Sequence, residues 1–271
     1  MKNPFDNPVL SLDLRSRVRE RRLWVLAAML VAMPLLLSAI ILALITSSSD
    51  NPLPSAGEIL AAVALFSHGA LICLLSALGA AQRISQERER RTLPALVNSP
   101  LSPQRIADGK LLGAWAFAVW LSFTTLPFLA VSTLWGGIPA GTLLLCWLYN
   151  VAAAMATASL ALGLSGLFGR SLSAYLATGA VLFLWCAVIP VVGLLTMGSA
   201  THVAGEEIAK EVIFCASFYH LPLAPQVVLF AHASGPEHLR TVCLAWAPAV
   251  WLLIALAGRS LAARGLRREI Y

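Results

Sequence analysis

ILAAVALFSHGALICLLSALGAA, residues 59–81, carries no acidic or basic side chain other than His68. A helix of that length rises by about 35 Å, enough to cross roughly 30 Å of hydrocarbon. The stretch that follows it, ISQERERRTLPALVNSPLSPQRIADGK (84–110), is polar and densely charged, and then a second uncharged run begins, 111–134. This alternation repeats along the chain. Apolar runs also fill 23–45, 141–167, 172–197 and 241–261. Across the 271 residues 59% are hydrophobic and 12% charged, and the mean hydropathy is +0.80. A soluble domain is about a quarter charged. The composition excludes a soluble globular enzyme, a disordered chain and a fibrous rod. It predicts an all-α membrane protein of six transmembrane helices, 1–271 forming a single transmembrane domain. The first run is too long for a signal-peptide core and is expected to be retained.

Charge sets the expected orientation. Of the 19 lysines and arginines, all but Lys210 and Arg240 fall on one side when the chain is threaded six times. The positive-inside rule puts that side, and both termini, in the cytoplasm. A seventh span at 212–233 would move the arginines of the tail outside. That segment is split by Pro222 and Pro225 into arms too short to cross, so a re-entrant hairpin within the outer loop 198–240 is expected instead. The net charge of +6 thus reflects topology, and no nucleic-acid partner is implied. The Ala-, Leu- and Arg-rich composition suggests a high-GC bacterium, hence the bacterial plasma (inner) membrane.

Two polar segments carry helical patterns. In 8–22, Leu10, Leu14 and Val18 share one face while Arg15, Arg19 and Arg22 lie on another, the pattern of an amphipathic helix resting on membrane lipid. In 84–110, Glu87, Arg88, Glu89, Arg90 and Arg91 precede Leu93, Leu96 and Val97 at helical spacing. Ser99-Pro100 predicts a helix end and Ser102-Pro103 a helix start, with serine as the cap and proline at the first position.

On those residues the chain resembles ABC-2 type transporter permeases. ERERRTLPALVNSPLSPQRIADGKLLGA (87–114) is similar to the family's ERE-x-G-T-L-x-x-L-L-x-T-P-L-S segment with its following I-x-x-G-K. Arg91 stands where the family usually has glycine, and Pro94 falls inside the short helix. The basic amphipathic helix before span one, the long loop 84–110, the minimal loop between spans four and five and the wide outer loop extend the likeness over nearly the whole chain. It is closer to the drug, sodium, bacteriocin and multi-substrate branch than to the polysaccharide exporters. The resemblance implies a type V exporter-like fold and no chemistry in this chain. A second permease subunit, identical or a paralogue, and a separate ABC ATP-binding subunit carrying ATP and Mg complete such a transporter. It also implies that the loop is the coupling element. Leu93, Leu96 and Val97 are then apolar knobs set in a groove of the ATPase, ringed by Glu87, Arg88, Glu89 and Arg90.

The residues agree that ATP has to come from elsewhere. A P-loop needs Gly-x4-Gly-Lys-Ser/Thr, and Gly109-Lys110 is followed by Leu111 with no glycine five residues earlier. No cofactor is expected in this chain. Ser67, His68, Thr124 and Asn150 are polar side chains within predicted spans and are candidates for a substrate path. With Thr125 and Tyr149 they are too few for a hydrophilic tunnel, which favours an amphipathic or lipophilic substrate for export. Gly163-Leu164-Ser165-Gly166 matches the GxSG of rhomboid intramembrane proteases, but span six has no histidine to activate the serine, and close helix packing by small residues explains the motif better. A membrane anchor that regulates an ATPase without moving a substrate is a further alternative. His202, Glu206, Glu207, Cys215, His220, His232 and His238 share the outer loop at no metal-ligand spacing, so no metal site is expected. Cys215 and Cys243 could pair outside the membrane.

Overall fold

Helix Ala140–Leu167 runs through the middle of the molecule. Its alanine-rich sequence contains no internal proline and is apolar on every side, so neighbours can cover it all round. The computed structural model describes residues 8–11, isolated positions between 25 and 43, and 56–134, 138–185 and 237–268. In chain order the elements are α1 (Ala56–Ala81), α2 (Ser85–Glu89), α3 (Leu93–Val97), α4 (Pro103–Ser122), a 3-10 turn (Phe123–Thr125), α5 (Leu126–Leu134), α6 (Ala140–Leu167), α7 (Ser171–Phe183) and α8 (Glu237–Arg267). The central α6 packs along α1 and α8 and also touches α4 and α7. Among the described residues, four helices are long and apolar enough to cross a membrane: Leu60–Glu89, Pro103–Leu134, Ala140–Leu167 and Pro248–Arg267. The described positions of the first apolar run are helical. The amphipathic segment beyond Ser11, the end of the fifth run past Trp185, the hairpin 212–233 and Cys215 lie outside the described residues.

Packing against α6 divides by height. One apolar cluster gathers Leu65, Ile72, Leu121, Leu143, Trp147 and Trp251. A second, at the end where α1 leaves the bundle, gathers Ile84, Leu93, Ile106, Leu111, Leu162 and Leu266. Between α6 and α8 the backbones themselves meet. A Cβ on Gly258 would stand 2.3 Å from the Ser159 carbonyl oxygen, and one on Gly265 would stand 2.4 Å from that of Gly166. Gly163 and Gly166 face this seam from α6, and the Ser159 hydroxyl donates to the Ala255 carbonyl at 2.5 Å. Small residues at such spacing let membrane helices approach closely, with Ser hydroxyls bonding across.

The third apolar run changes from α-helix to a 3-10 turn and back, and Pro127 is the reason. Its ring clashes with the carbonyl four residues back and it donates no amide. The helix therefore passes through the 3-10 turn, where the Leu126 amide bonds Phe123 instead of Ser122. The released Ser122 carbonyl is taken by the Trp147 indole N–H at 3.1 Å, and the Trp147 ring lies 5.5 Å from that of Phe123. The turn is thus satisfied from α6.

The link from α2 to α3 is equally specific. Arg91 has φ +57°, the left-handed region. Its amide bonds the Arg88 carbonyl at 3.1 Å and the Thr92 amide bonds that of Glu87 at 3.0 Å. This pair closes a Schellman turn, which favours glycine at the position Arg91 occupies. Pro94 falls in the first turn of α3, where its missing N–H has no helical partner to lose. The Ser102 hydroxyl accepts from the Arg105 amide and Pro103 opens α4. Arg91→Gly is expected to raise stability by about 0.5–1 kcal/mol, since the left-handed strain of roughly 1–2 kcal/mol outweighs the extra freedom of glycine. Thermal melting in detergent measures this; an unchanged or lower midpoint contradicts it.

Candidate functional site: the short-helix hairpin

Helices α2 and α3 sit at one end of the bundle with the close of α1, the start of α4, the close of α6, the start of α7 and the close of α8. Contacts among Ile84, Ser165, Phe168, Ser171, Asp108 and Arg259 bring these ends together. Arg83, Arg88, Arg90, Arg91, Arg105, Lys110 and Arg170 belong to these ends, as do the arginines closing α8.

The charges of α2 are spent inside the chain. Lys110, on α4, is a buried cation with its side chain 5% exposed, and its Nζ donates to Glu87 Oε1 at 2.6 Å and to the Arg83 carbonyl at 3.2 Å. Such a pair is weak evidence for stability, but removing one partner strands the other. Glu87 Oε2 is buried and accepts no hydrogen bond. Arg88 donates to the Phe168 carbonyl at 2.6 Å, beyond the last turn of α6, and to that of Gly166 at 3.4 Å. A guanidinium suits the carbonyl-rich end of a helix, where the macrodipole is negative. Glu89 does the reverse for α7. It accepts from the Ser171 amide at 2.9 Å and from the Ser171 hydroxyl at 2.5 Å, capping a helix whose own N-cap residue, Arg170, has no side-chain cap bond. The Ser171 hydroxyl and amide hold the Glu89 carboxyl below the usual carboxylate range. Three consecutive side chains thereby fasten α2 to α4, α6 and α7.

The apolar residues of α3 divide in two. Leu93, expected from the resemblance to be a partner-facing knob, is 1% exposed and packs in the lower apolar cluster with Ile84, Ile106 and Leu266. The turn at Arg91 swings α3 back against the bundle and puts its first residue inside. Leu96 is half-buried at the edge of that cluster, and the side chain of Val97 is outside the described set. Arg90, Arg91, Pro94 and Ala95 are exposed.

Ser165, within the GxSG match, has a structural task. Its Oγ accepts from the backbone amides of Ile84 and Ser85, each at 3.1 Å, and lies 3.2 Å from the Ser85 hydroxyl. It caps the turn between α1 and α2. His68 is about 20 Å of helix away from that turn, too far to serve as its base.

The candidate substrate-path residues lie higher. Asn150 Nδ2 donates to the Leu65 carbonyl at 3.0 Å, and its Oδ1 faces Gly69, where a Cβ would stand 2.3 Å away. The neighbouring Ser67 hydroxyl bonds the Val63 carbonyl at 2.6 Å. His68 is 1% exposed and neither ring nitrogen has a partner. Thr124, in the 3-10 turn, bonds back to the Leu121 carbonyl at 2.7 Å. The structure thus brings Asn150 to the α1 turn that holds Ser67 and His68, while Thr124 belongs to the 3-10 turn. Among the described residues, no group of His, Cys, Asp or Glu side chains could hold a metal ion.

The ion-pairing of Lys110 and Asp108 and the Ser76–Thr157 pair, at 3.0 Å between α1 and α6, have no counterpart among the sequence expectations. A lysine at the mouth of an apolar run is the one visible signal among them, because a buried cation demands a carboxylate.

The family model described as "ABC-2 family transporter protein" matches residues 8–259. No curated protein matches the chain.

Proposed function

The chain belongs to the ABC-2 family of transporter proteins, and from that premise we propose how it works: as the permease subunit of an exporter driven by a separate ATP-binding subunit through α2 and α3. As a multi-pass membrane component of an ABC transporter it contributes the translocation path. One observation carries the mechanical reading. Glu87, Arg88 and Glu89 tie the short hairpin to Lys110 on α4, to the carbonyl end of α6 and to the Ser171 terminus of α7. A push on the hairpin then reaches three membrane helices at once. Leu93 anchors the hairpin to its own bundle. The surface offered to the ATPase is Arg90, Arg91, Pro94 and Ala95, with Leu96 at its margin.

The rest of the proposal follows the charge pattern and the resemblance. The chain crosses the bacterial inner membrane six times with both termini in the cytoplasm, adopts the type V exporter-like arrangement and pairs with a second permease subunit. It falls with the drug and sodium exporters, and ATP and Mg reside on the partner. The closed packing of Asn150 against Gly69 and the scarcity of polar groups near His68 favour an amphipathic or lipophilic substrate. Ser165 accepts two backbone amides, which disfavours the serine-hydrolase reading.

A photo-crosslinking amino acid placed at Arg90 or Ala95 in cells tests this. Both positions are expected to capture an ATP-binding subunit, while one at Leu252, exposed on the apolar part of α8, is not. Capture at Leu252 with none at Arg90 or Ala95 would move the interface elsewhere and with it the orientation.

A further inference from the structure

A groove of about 220 Å³ opens beside the end of α8, lined by Gln104 of α4 and by Arg259, Ser260, Ala263, Arg264 and Arg267. Two features distinguish it from a merely basic surface. Its cations are unequal. Arg259 is neutralised in place, its NH2 donating to Asp108 Oδ2 at 2.8 Å and its Nε to the other oxygen of the same carboxylate. Arg264 and Arg267 are exposed, and neither takes part in an ion pair among the described residues. Among the described residues, the groove therefore holds two uncompensated guanidinium groups beside one clamped one.

The second feature is continuity with an apolar stripe. Leu253, Leu256, Ser260, Arg264 and Arg267 follow one another at steps of three or four, so they share a face of α8. Leu253 is 65% and Leu256 49% exposed. Leucines left uncovered on a membrane-crossing helix meet acyl chains. Two turns along the same face, the surface changes from leucine to serine and arginine. An acyl chain laid along the leucines delivers its own headgroup to the arginines. A soluble anion uses only the lower half of this surface.

We propose that this groove binds the phosphate of an anionic phospholipid whose acyl chains lie along Leu253 and Leu256. Arg264 and Arg267 meet the phosphate, for which the planar guanidinium is well shaped, and the Gln104 amide offers a neutral hydrogen bond beside it; the Ser260 hydroxyl donates to the Ala257 carbonyl at 2.8 Å. Asp108 keeps Arg259 out of the contact and limits its strength. The site is independent of the coupling reading.

The test uses the full chain in neutral detergent micelles, with lipid retention followed by native mass spectrometry. Phosphatidylglycerol should be retained over phosphatidylcholine, and millimolar inorganic phosphate should not displace it. Arg264→Gln with Arg267→Gln should weaken phosphatidylglycerol binding by roughly 30-fold, as removal of two interfacial cations does. The charge-matched pair Arg90→Gln with Arg91→Gln, off the groove, should not. Asp108→Asn should tighten binding by freeing Arg259, a gain that a misfolded variant cannot imitate. Equal retention of the two lipids overturns the proposal, as does unchanged binding in the groove variant. Displacement by phosphate alone makes the ligand a soluble anion and overturns it. So does a groove variant that keeps its lipid but loses its ATP-binding subunit, which would make the groove a protein contact.

Discussion

Gly258→Val is expected to be the most damaging single substitution in the described bundle. A Cβ at this position meets the Ser159 carbonyl oxygen at 2.3 Å, the carbonyl carbon at 2.5 Å and the Ser159 hydroxyl at 2.7 Å. Two of those atoms are backbone and cannot rotate aside. Helices α6 and α8 then have to separate, which removes the Ser159–Ala255 bond and loosens the matching contacts at Gly163 and Gly265. Overpacking a rigid core typically costs about 1–3 kcal/mol, and a clash against main chain lies at or above the upper end. For a bundle of this size the melting midpoint should fall on the order of 10 °C. Gly179→Val is the control, because nothing lies within 4 Å of a Cβ there. Thermal melting of both purified variants decides the matter. A Gly258→Val protein that melts with the parent shows that α6 and α8 are not in backbone contact.

The second large effect belongs to Lys110 and Glu87, and it should be asymmetric. Glu87→Ala leaves a cation that is 5% exposed with only the Arg83 carbonyl for company. Breaking a buried pair in this way costs about 3–5 kcal/mol. Lys110→Met should cost less: Glu87 Oε2 is buried in the parent, but the Glu87 side chain is 31% exposed against 5% for Lys110, so its freed carboxylate has the shorter way to water. The double variant removes the stranded charge altogether, and an apolar replacement of a buried pair is often neutral. It should recover most of the stability lost in Glu87→Ala.

Much of the bundle was legible because membrane helices are written as unbroken apolar runs. The run 59–81 sits within α1 (Ala56–Ala81), and 141–167 nearly coincides with α6 (Ala140–Leu167). The run 111–134 begins inside a helix that starts at Pro103, as Ser102-Pro103 predicts, and passes through a 3-10 turn just before Pro127. The family resemblance rested on the same loop that forms α2 and α3, and of its two departures from the family pattern Arg91 sits at positive φ while Pro94 fits the first turn of α3.

What the sequence hid is the direction the loop's side chains face. The resemblance makes Glu87, Arg88 and Glu89 a collar facing the ATPase, because their partners within the chain, Lys110, Phe168 and Ser171, stand some 20 to 80 residues away, and two of those contacts use main-chain groups. The resemblance makes Leu93 a knob in a groove of the ATPase, and periodicity marks an apolar face without saying whether a partner or the chain itself covers it. The glycine seam was likewise invisible as a pairing. Gly163 and Gly166 were recognisable as small residues on α6, but their complements Gly258 and Gly265 stand almost a hundred residues on.

The mechanical claim is tested most directly by the ATP turnover of complexes built with the Glu87→Ala, Lys110→Met double variant, measured beside its thermal stability. Removing the pair cuts the tie from α2 to α4 without touching Arg90, Arg91 or Ala95. The reading predicts a stable double variant that still assembles with its ATP-binding subunit, yet loses most of the stimulation of turnover that the parent permease confers. A double variant that is equally stable, equally assembled and fully stimulating would contradict transmission through this hairpin.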